Sequence, residues 1–566
     1  MKLRGIQKSF LVFLLVTLVL SFAGCGNTGS NVQDTTSQAA TGEATTQAVS
    51  AGQGETAPES KFATPGKQKY DTPVTVTSVR VLDPTVTFAQ GEDIENNIWT
   101  KAALEEYGIV IKYKWTAPTA QYPDKISLML ASNDIPDFFN LDVSSYELAM
   151  KSGLLGDLTD AYKNYASQAL MERMSLDENA IKAGTSGGKL YALAQAQDNV
   201  SNGAQYLWLR NDWLKKLNLS APKTIDELIE VARAMKDKDP DGNSKKDTYG
   251  VGISQAIGFN GLYNGFNAYK GIWMPDSAGK LVYGSVQPEM KEALSKIQQM
   301  FKEGLIDKDY YTKSYDNAVQ DLNTNKVGVL YDNFITPLRI MDGWDKDHSI
   351  DWEPYTLPSV KADSYPAVAQ IGNGFGYYIV ARKGWEHPEA MVKLVNMFVD
   401  KQSNAAEYIQ DKDARWVFMY APANISTPEN NSINQRLIAE AIKKNDPSGL
   451  PIQAKQNYDN IQRFNSGSVD KMDYALTKIF APESTLSFLD ENYINTKHYM
   501  QDKWYKAPTP SMVKKQAALK DLEEQTFTKI IMGASISEFD KFVENWKKMG
   551  GDDITKEVNE SYQNVN

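Results

Sequence analysis

Between Asp239 and Asp247 the chain reads Asp-Pro-Asp-Gly-Asn-Ser-Lys-Lys-Asp, with oxygen-bearing side chains at alternate positions and Gly242 placed for a tight turn. Oxygens alternating around a turn can converge on one hard cation at about 2.3–2.6 Å. Asp237 extends the pattern, but Thr248 stands where a twelve-residue EF-hand loop counted from Asp237 needs Glu. The competing reading is a solvated polar turn between a helix and a strand. A second pattern, Gly184-Thr185-Ser186-Gly187-Gly188, has the G-x-S-x-G spacing of a nucleophile elbow. That elbow needs a strand before it and a helix after it, whereas strand-like residues follow here, so the motif reads as a turn. The three histidines, His348, His387 and His498, lie far apart with no H-x-x-x-H spacing, so a zinc site is not expected. With Cys25 the sole cysteine, no intramolecular disulfide and no cysteine-based metal site is possible. The 71 acidic residues offer many carboxylate pairs, but a glycosidase pair is recognised only by its separation in space. A secreted carbohydrate-active enzyme, a glycosidase or lyase, therefore stays open as one reading.

Sugar binding asks for flat aromatic faces and planar polar side chains that satisfy hydroxyls in pairs. Eleven Trp and 29 Tyr supply such faces, although any one of them is more readily a core or rim residue. The net charge of −11 opposes counterion-release binding of nucleic acid, so no nucleic-acid partner is expected. It also opposes attraction to anionic lipid, so membrane attachment needs a separate device.

The N-terminus offers one. Lys2, Arg4 and Lys8 precede an apolar run over 10–20, interrupted by Thr17 and too short to span a bilayer core of about 30 Å. Residues 1–24 read as a signal peptide. Phe22-Ala23-Gly24-Cys25 resembles the lipobox of bacterial lipoproteins, with Phe22 where Leu is usual. The resemblance implies acylation of Cys25 and a place on the extracellular face of the cell membrane. Residues 25–68 then hold the lipidated Cys and a Ser/Thr/Gln/Gly-rich stretch too poor in large apolar residues to fold. As a flexible coil of about 40 residues it reaches roughly 35 Å.

The rest of the 566-residue chain is too long for one hydrophobic core, so at least two lobes are expected. Pro73 to Val79 reads as a strand, 100–107 as a helix, 109–115 as a strand, 125–131 as a helix and 137–141 as a short buried strand. This alternation predicts an α/β lobe with a mostly parallel sheet. Thr224 and Glu227 form a capping box that opens a helix to about Lys236, and Pro388-Glu389 opens another. Phe539, Phe542, Val543 and Trp546 recur on one helix face.

Five phrases resemble the family of extracellular solute-binding proteins that serve carbohydrate ABC transporters, and they cover most of the chain. They are LMLASNDIPDFF (Leu128 to Phe139), SGLLGDLTD (Ser152 to Asp160), GGKLYALAQA with LWLRNDWLKKLNLSAPKTIDEL (Gly187 to Leu228), NKVGVLYDNF (Asn325 to Phe334) and GNGFGYYIVARKGWEHPEAMVKLVN (Gly372 to Asn396). RNDWLKKLNL…PKTIDEL is the most specific. The resemblance implies an α/β, two-lobed periplasmic-binding-protein-like fold (type II) with discontinuous lobes and a hinge. It implies an N-terminal lobe of 70–196 plus 372–425 and a C-terminal lobe of 197–371 plus 426–566. The crossings would lie near 194–199 and 371–374.

The same resemblance places candidate ligand-binding residues at the cleft: Asn140, Asp142, Asp198, Asn202, Phe259, Tyr269, Trp273, Asn333, Phe334, Asn373 and Trp416. No catalytic residue is implied. It also implies a short calcium loop with Asp239, Asp241, Asn243, the Lys245 carbonyl and Asp247 as ligands of a structural Ca²⁺. The expected activity is capture of an oligosaccharide by a monomer and delivery to ABC permease subunits, with no catalysis. Arg210 or Arg339 is a candidate partner for a uronate carboxylate, and each is equally readable as a structural ion pair.

Overall fold

A computed structural model describes residues 68–562, apart from 85, 178, 197, 253–257, 373, 404–419, 426 and 507. Cys25, Asn373 and Trp416 lie outside the described residues. The chain opens with β1 (Val74–Val81), α1 (Ile98–Tyr107), β2 (Ile109–Ala117), α2 (Tyr122–Ser132), β3 (Phe138–Leu141), α3 (Val143–Lys151) and β4 (Ala192–Ala196). A short helix α4 (Asn199–Gly203) leads to β5 (Tyr206–Arg210), α5 (Ile225–Asp237), β6 (Tyr249–Gly252), β7 (Val327–Asp332), α6 (Thr336–Lys346), β8 (Trp352–Tyr355) and β9 (Ala369–Ile371). The chain then runs through β10 (Phe375–Ala381), α7 (Pro388–Ser403), α8 (Asn430–Lys444) and β11 (Tyr499–Gln501) to a C-terminal helical region.

Local chemistry sets these boundaries. In α5 the Glu227 N–H donates to Thr224 Oγ1 at 3.2 Å while the Thr224 N–H donates to Glu227 Oε2 at 3.1 Å, which satisfies two of the first-turn donors. Its apolar face, including Leu228, Ala232 and Met235, is buried. Asn97 caps α1, and Gly108 ends it at φ 67°, so the chain turns straight into β2. Near the C-terminus Phe539, Phe542 and Trp546 are buried along one face of the helix Glu538–Trp546.

Among the described residues two large hydrophobic cores result, beside a small cluster of Trp344, Tyr474 and Ala475. One draws on Val76 to Ala196 and returns with Phe375 to Ile425. The other draws on Ala204 to Ile371 and on Ile438 to Val558. The sheets are mixed, which corrects the expectation of mostly parallel pairing. β1 and β2 are parallel, but β10 lies between β3 and β4 and is antiparallel to both. In the second core the order is β8-β5-β7-β6, with only β7 and β6 parallel. In the first core the cause is topological: β10 comes back from the other core and enters the sheet from its opposite end.

The G-x-S-x-G motif is a hairpin. Thr185–Ser186 pairs antiparallel with Lys189–Leu190, and Gly187 and Gly188 take φ 55° and 77° at its tip. Two successive positive φ values suit the tight hairpin turn and leave no helix to follow the serine.

Candidate functional site

Strand register locates the edge where the two cores meet. Phe375 lies opposite Ala196, and Tyr378 lies opposite both Ala194 and Leu141. The end of β3 therefore shares an edge with the places where the chain leaves the first core and comes back to it. Ligands of α/β sheets bind outside the carboxyl ends of strands. In the second core Tyr206 lies opposite Asp332 and Leu207 opposite Tyr355, so the entry of β5 sits beside the ends of β7 and β8.

On the first edge stand Trp115, Tyr122, Asn140, Asp142 and Tyr377. The Trp115 and Tyr122 rings lie 5.5 Å apart at 58°. The Tyr122 hydroxyl donates to the Asn140 carbonyl at 3.2 Å, fixing the start of α2 to the end of β3. Asp142 caps α3 by accepting from the Ser145 N–H at 2.8 Å. Tyr377 remains 38% exposed, and the Asp142 carboxylate adds to burial in holding its hydroxyl above the usual tyrosine range. Of these, Asn140 and Asp142 are residues that the sequence singled out. Trp115, Tyr122 and Tyr377 were not singled out, although the position of Trp115 near the carboxyl end of β2 was a usable signal.

On the second edge the Asn333 amide donates to the Asn202 carbonyl at 2.8 Å, and the Asn202 amide donates to the Asp198 carbonyl at 2.7 Å. These three predicted residues are thus brought together. Asp198 is buried: its carboxylate accepts from the backbone and side chain of Asn431, both at 2.9 Å, and from the Ser201 N–H at 3.2 Å. Burial pushes its pKa up to about 6 against those hydrogen bonds. Asp198 thereby ties the first crossing to the start of α8 and presents no free carboxylate to a ligand.

A further strap joins the cores. Tyr505 packs on the first core, with its ring 6.0 Å from that of Phe375. Nearby, the Asp502 carboxylate accepts from the Trp273 N–H at 3.1 Å and the Trp504 N–H at 3.0 Å. Burial pushes the Asp502 pKa up to about 7.

Other expected contacts sit elsewhere. Phe259, Tyr269, Trp273 and Phe334 are all buried, at 8%, 4%, 4% and 4% exposure. Trp273 packs 5.4 Å from Tyr283, which stacks on Trp546 at 5.3 Å. These rings have little face to offer a sugar, so the structure corrects their assignment as contacts. The two arginines are engaged as well. Arg210 forms two bonds to Asp212, at 2.8 and 2.7 Å, over the Trp213 ring, and Arg339 is ion-paired with buried Asp332.

The Asp239–Asp247 loop crowds carboxylates. The Asn243 amide donates to Asp241 Oδ2 at 2.6 Å and to Asp247 Oδ1 at 3.1 Å, so a neutral donor lies between two acids. The Asp239 carboxylate accepts from the backbone of Asn243 and Ser244. Asp241 Oδ1 is buried without a hydrogen-bond partner, and burial with Asp239 beside it raises the Asp241 pKa. An orphaned oxygen among like charges fits a cation loop. Among the described residues, however, no group of three or more His, Cys, Asp or Glu side chains is gathered into a ready metal site. Among the same residues no helix is long and apolar enough to cross a membrane.

Two α/β cores joined by several crossings, with strand ends facing the junction, define a hinged solute-binding protein. The chain belongs to the family described as bacterial extracellular solute-binding protein, whose model matches residues 89–405. It is 26% identical over 481 residues to the lipoprotein LipO of Bacillus subtilis, covering 81% of this chain and 88% of that protein. It is 23% identical over 453 residues to the polygalacturonan/rhamnogalacturonan-binding protein YtcQ of the same organism, covering 79% and 84%. Among solved structures, an HMO-binding, ABC-transporter-associated solute-binding protein from Bifidobacterium longum infantis superposes with a TM-score of 0.60 at 17% identity, covering 88% of this chain and 99% of that one. That likeness supports the fold, a type II binding-protein architecture.

Proposed function

We propose that this protein captures an oligosaccharide between its two cores and delivers it to the membrane permease of an ABC importer. The observation that carries the reading is the aromatic and polar edge formed by half-buried Trp115 and Asn140 and exposed Tyr377 beside the crossings. Ring faces receive the C–H side of a pyranose while amides pair with its hydroxyls. Ligand contacts to both lobes, 70–196 with 372–425 and 197–371 with 426–566, favour a closed form, and closure is the signal that the permease reads. The names of YtcQ and of the HMO-binding protein support an oligosaccharide ligand.

The remaining parts of the reading follow from the sequence. Residues 1–24 direct export, acylated Cys25 anchors the chain to the extracellular face of the membrane, and 25–68 tether the folded body. LipO is named a lipoprotein, which supports the anchor. Asp239, Asp241, Asn243, the Lys245 carbonyl and Asp247 would hold a Ca²⁺ that neutralises their mutual repulsion and pins the loop. The protein acts as a monomer and turns over no substrate.

Thermal unfolding against a panel of oligosaccharides, with and without chelator, tests the proposal. A sugar at 100 times its dissociation constant stabilises by about 2.7 kcal/mol, which raises the midpoint measurably. The expected result is a shift with one sugar class and no loss of that sugar over time. No shift with any sugar, or steady hydrolysis, overturns it.

A further inference from the structure

Several lysines of the first core are ion-paired, and Lys125 at the binding edge is among those that are not. Lys112 pairs with Glu95 at 2.7 Å, and Lys114 pairs with Asp134. Lys125, on the first turns of α2, makes no ion pair among the described residues. Its ammonium instead lies 5.2 Å from the centre of the Trp115 ring and donates to the Thr116 carbonyl at 3.3 Å. It is exposed, whereas Tyr122 beside it is buried and held by Asn140.

A cation resting on an aromatic face occupies ground that a sugar ring would take. A stacked pyranose on that face displaces the ammonium and forfeits its attraction to the ring. A neutral sugar returns nothing for that loss beyond an ordinary hydrogen bond. A sugar bearing a carboxylate at its rim returns a charge-assisted hydrogen bond, roughly twice as strong as a neutral one. The two arginines that were candidates for this task are engaged by Asp212 and Asp332, so they do not compete for the carboxylate.

We infer that Lys125 is the specificity residue of this cleft and that it selects acidic, uronate-containing oligosaccharides over their neutral counterparts. The inference rests on the oligosaccharide reading above and narrows it to one chemical class.

The test compares trigalacturonate with galactotriose, which carries neutral CH₂OH groups in place of the carboxylates, by calorimetric titration of the protein. Wild type binds the acid more tightly, and its affinity for the acid falls as salt rises. Lys125→Gln weakens the acid by about ten- to one-hundredfold, the range for loss of one hydrogen bond to a charged group. It leaves the neutral sugar unchanged or slightly tighter, because no cation has to be displaced. Lys125→Arg restores most of the acid affinity. The side chain is exposed, so the unfolding midpoint of each variant stays near wild type. Equal weakening of both sugars, or tighter binding of the neutral one by wild type, overturns this inference and leaves the oligosaccharide reading standing. Binding of neither sugar, with no response to any other oligosaccharide, sinks both.

Discussion

Two aromatic regions of this protein have similar composition and different fates. The stretch from Phe259 to Trp273 is dense in rings, and its rings pack into the second core. The edge formed by Trp115 and Tyr377 comes from two strands far apart in sequence, and its rings stay partly exposed, Tyr377 more than Trp115. The lesson is that local aromatic density follows packing demand, whereas a binding face follows from where strands end.

The sharpest way to break that contrast is to truncate one ring from each region. Trp273→Ala is expected to cost about 3–5 kcal/mol of stability, as for other large buried rings, and to lower the denaturation midpoint by chemical unfolding. Its affinity per folded molecule should stay within a few-fold of wild type. A stable Trp273→Ala protein with lost sugar affinity would reverse the assignment.

The strap that receives the Trp273 backbone N–H adds a pH signature. Asp502 has a folded pKa raised to about 7 from an ordinary carboxylate value. The folded state therefore holds a proton that the unfolded state releases between about pH 4 and 7. The associated stability is fully present below about pH 4 and is lost as pH rises through 7. At about 1.4 kcal/mol per pKa unit, a rise of about three units corresponds to an effect on the order of 4 kcal/mol. Asp502→Asn should flatten the pH dependence of the unfolding midpoint over that interval. An unchanged profile would mean that the carboxyl group is better solvated than its surroundings indicate.

Tyr377→Ala probes the exposed region. It should weaken sugar binding by about 1–3 kcal/mol, the scale of a truncated aromatic contact, while changing stability by less than about 1 kcal/mol. Titration calorimetry and thermal unfolding separate the two. Stability loss without affinity loss would return Tyr377 to the category of Trp273.

The smallest effect is expected far from both regions. In the Asp239–Asp247 loop, Asp241→Asn removes one of the crowded carboxylates. It should raise the midpoint slightly in chelator, by about 1 kcal/mol or less, and abolish any rise produced by added calcium. A calcium response that survives the substitution would exclude Asp241 as a ligand.

Much of this protein was set by its local sequence. The Thr224–Glu227 box, Gly108 after α1 and the β-branched run at β1 act through neighbours a few residues away, so their outcome is readable without tertiary knowledge. The family was legible for a related reason: its phrases record recurring turns and strand ends in order along the chain. Asn140 and Asp142 were singled out from the sequence by their place at a buried strand: the structure puts Asn140 inside the end of β3 and Asp142 directly after it.

Tertiary structure decided the rest. Whether a ring is core or rim depends on which strands become neighbours, and β10 reaches β3 and β4 only after nearly two hundred residues spent in the other core. The same long-range pairing made the sheet mixed, where local alternation had predicted parallel strands. It buried Asp198 against Asn431. Local sequence determines what each segment does alone; burial is a property of segments brought together, and a local pattern does not encode which segments those are.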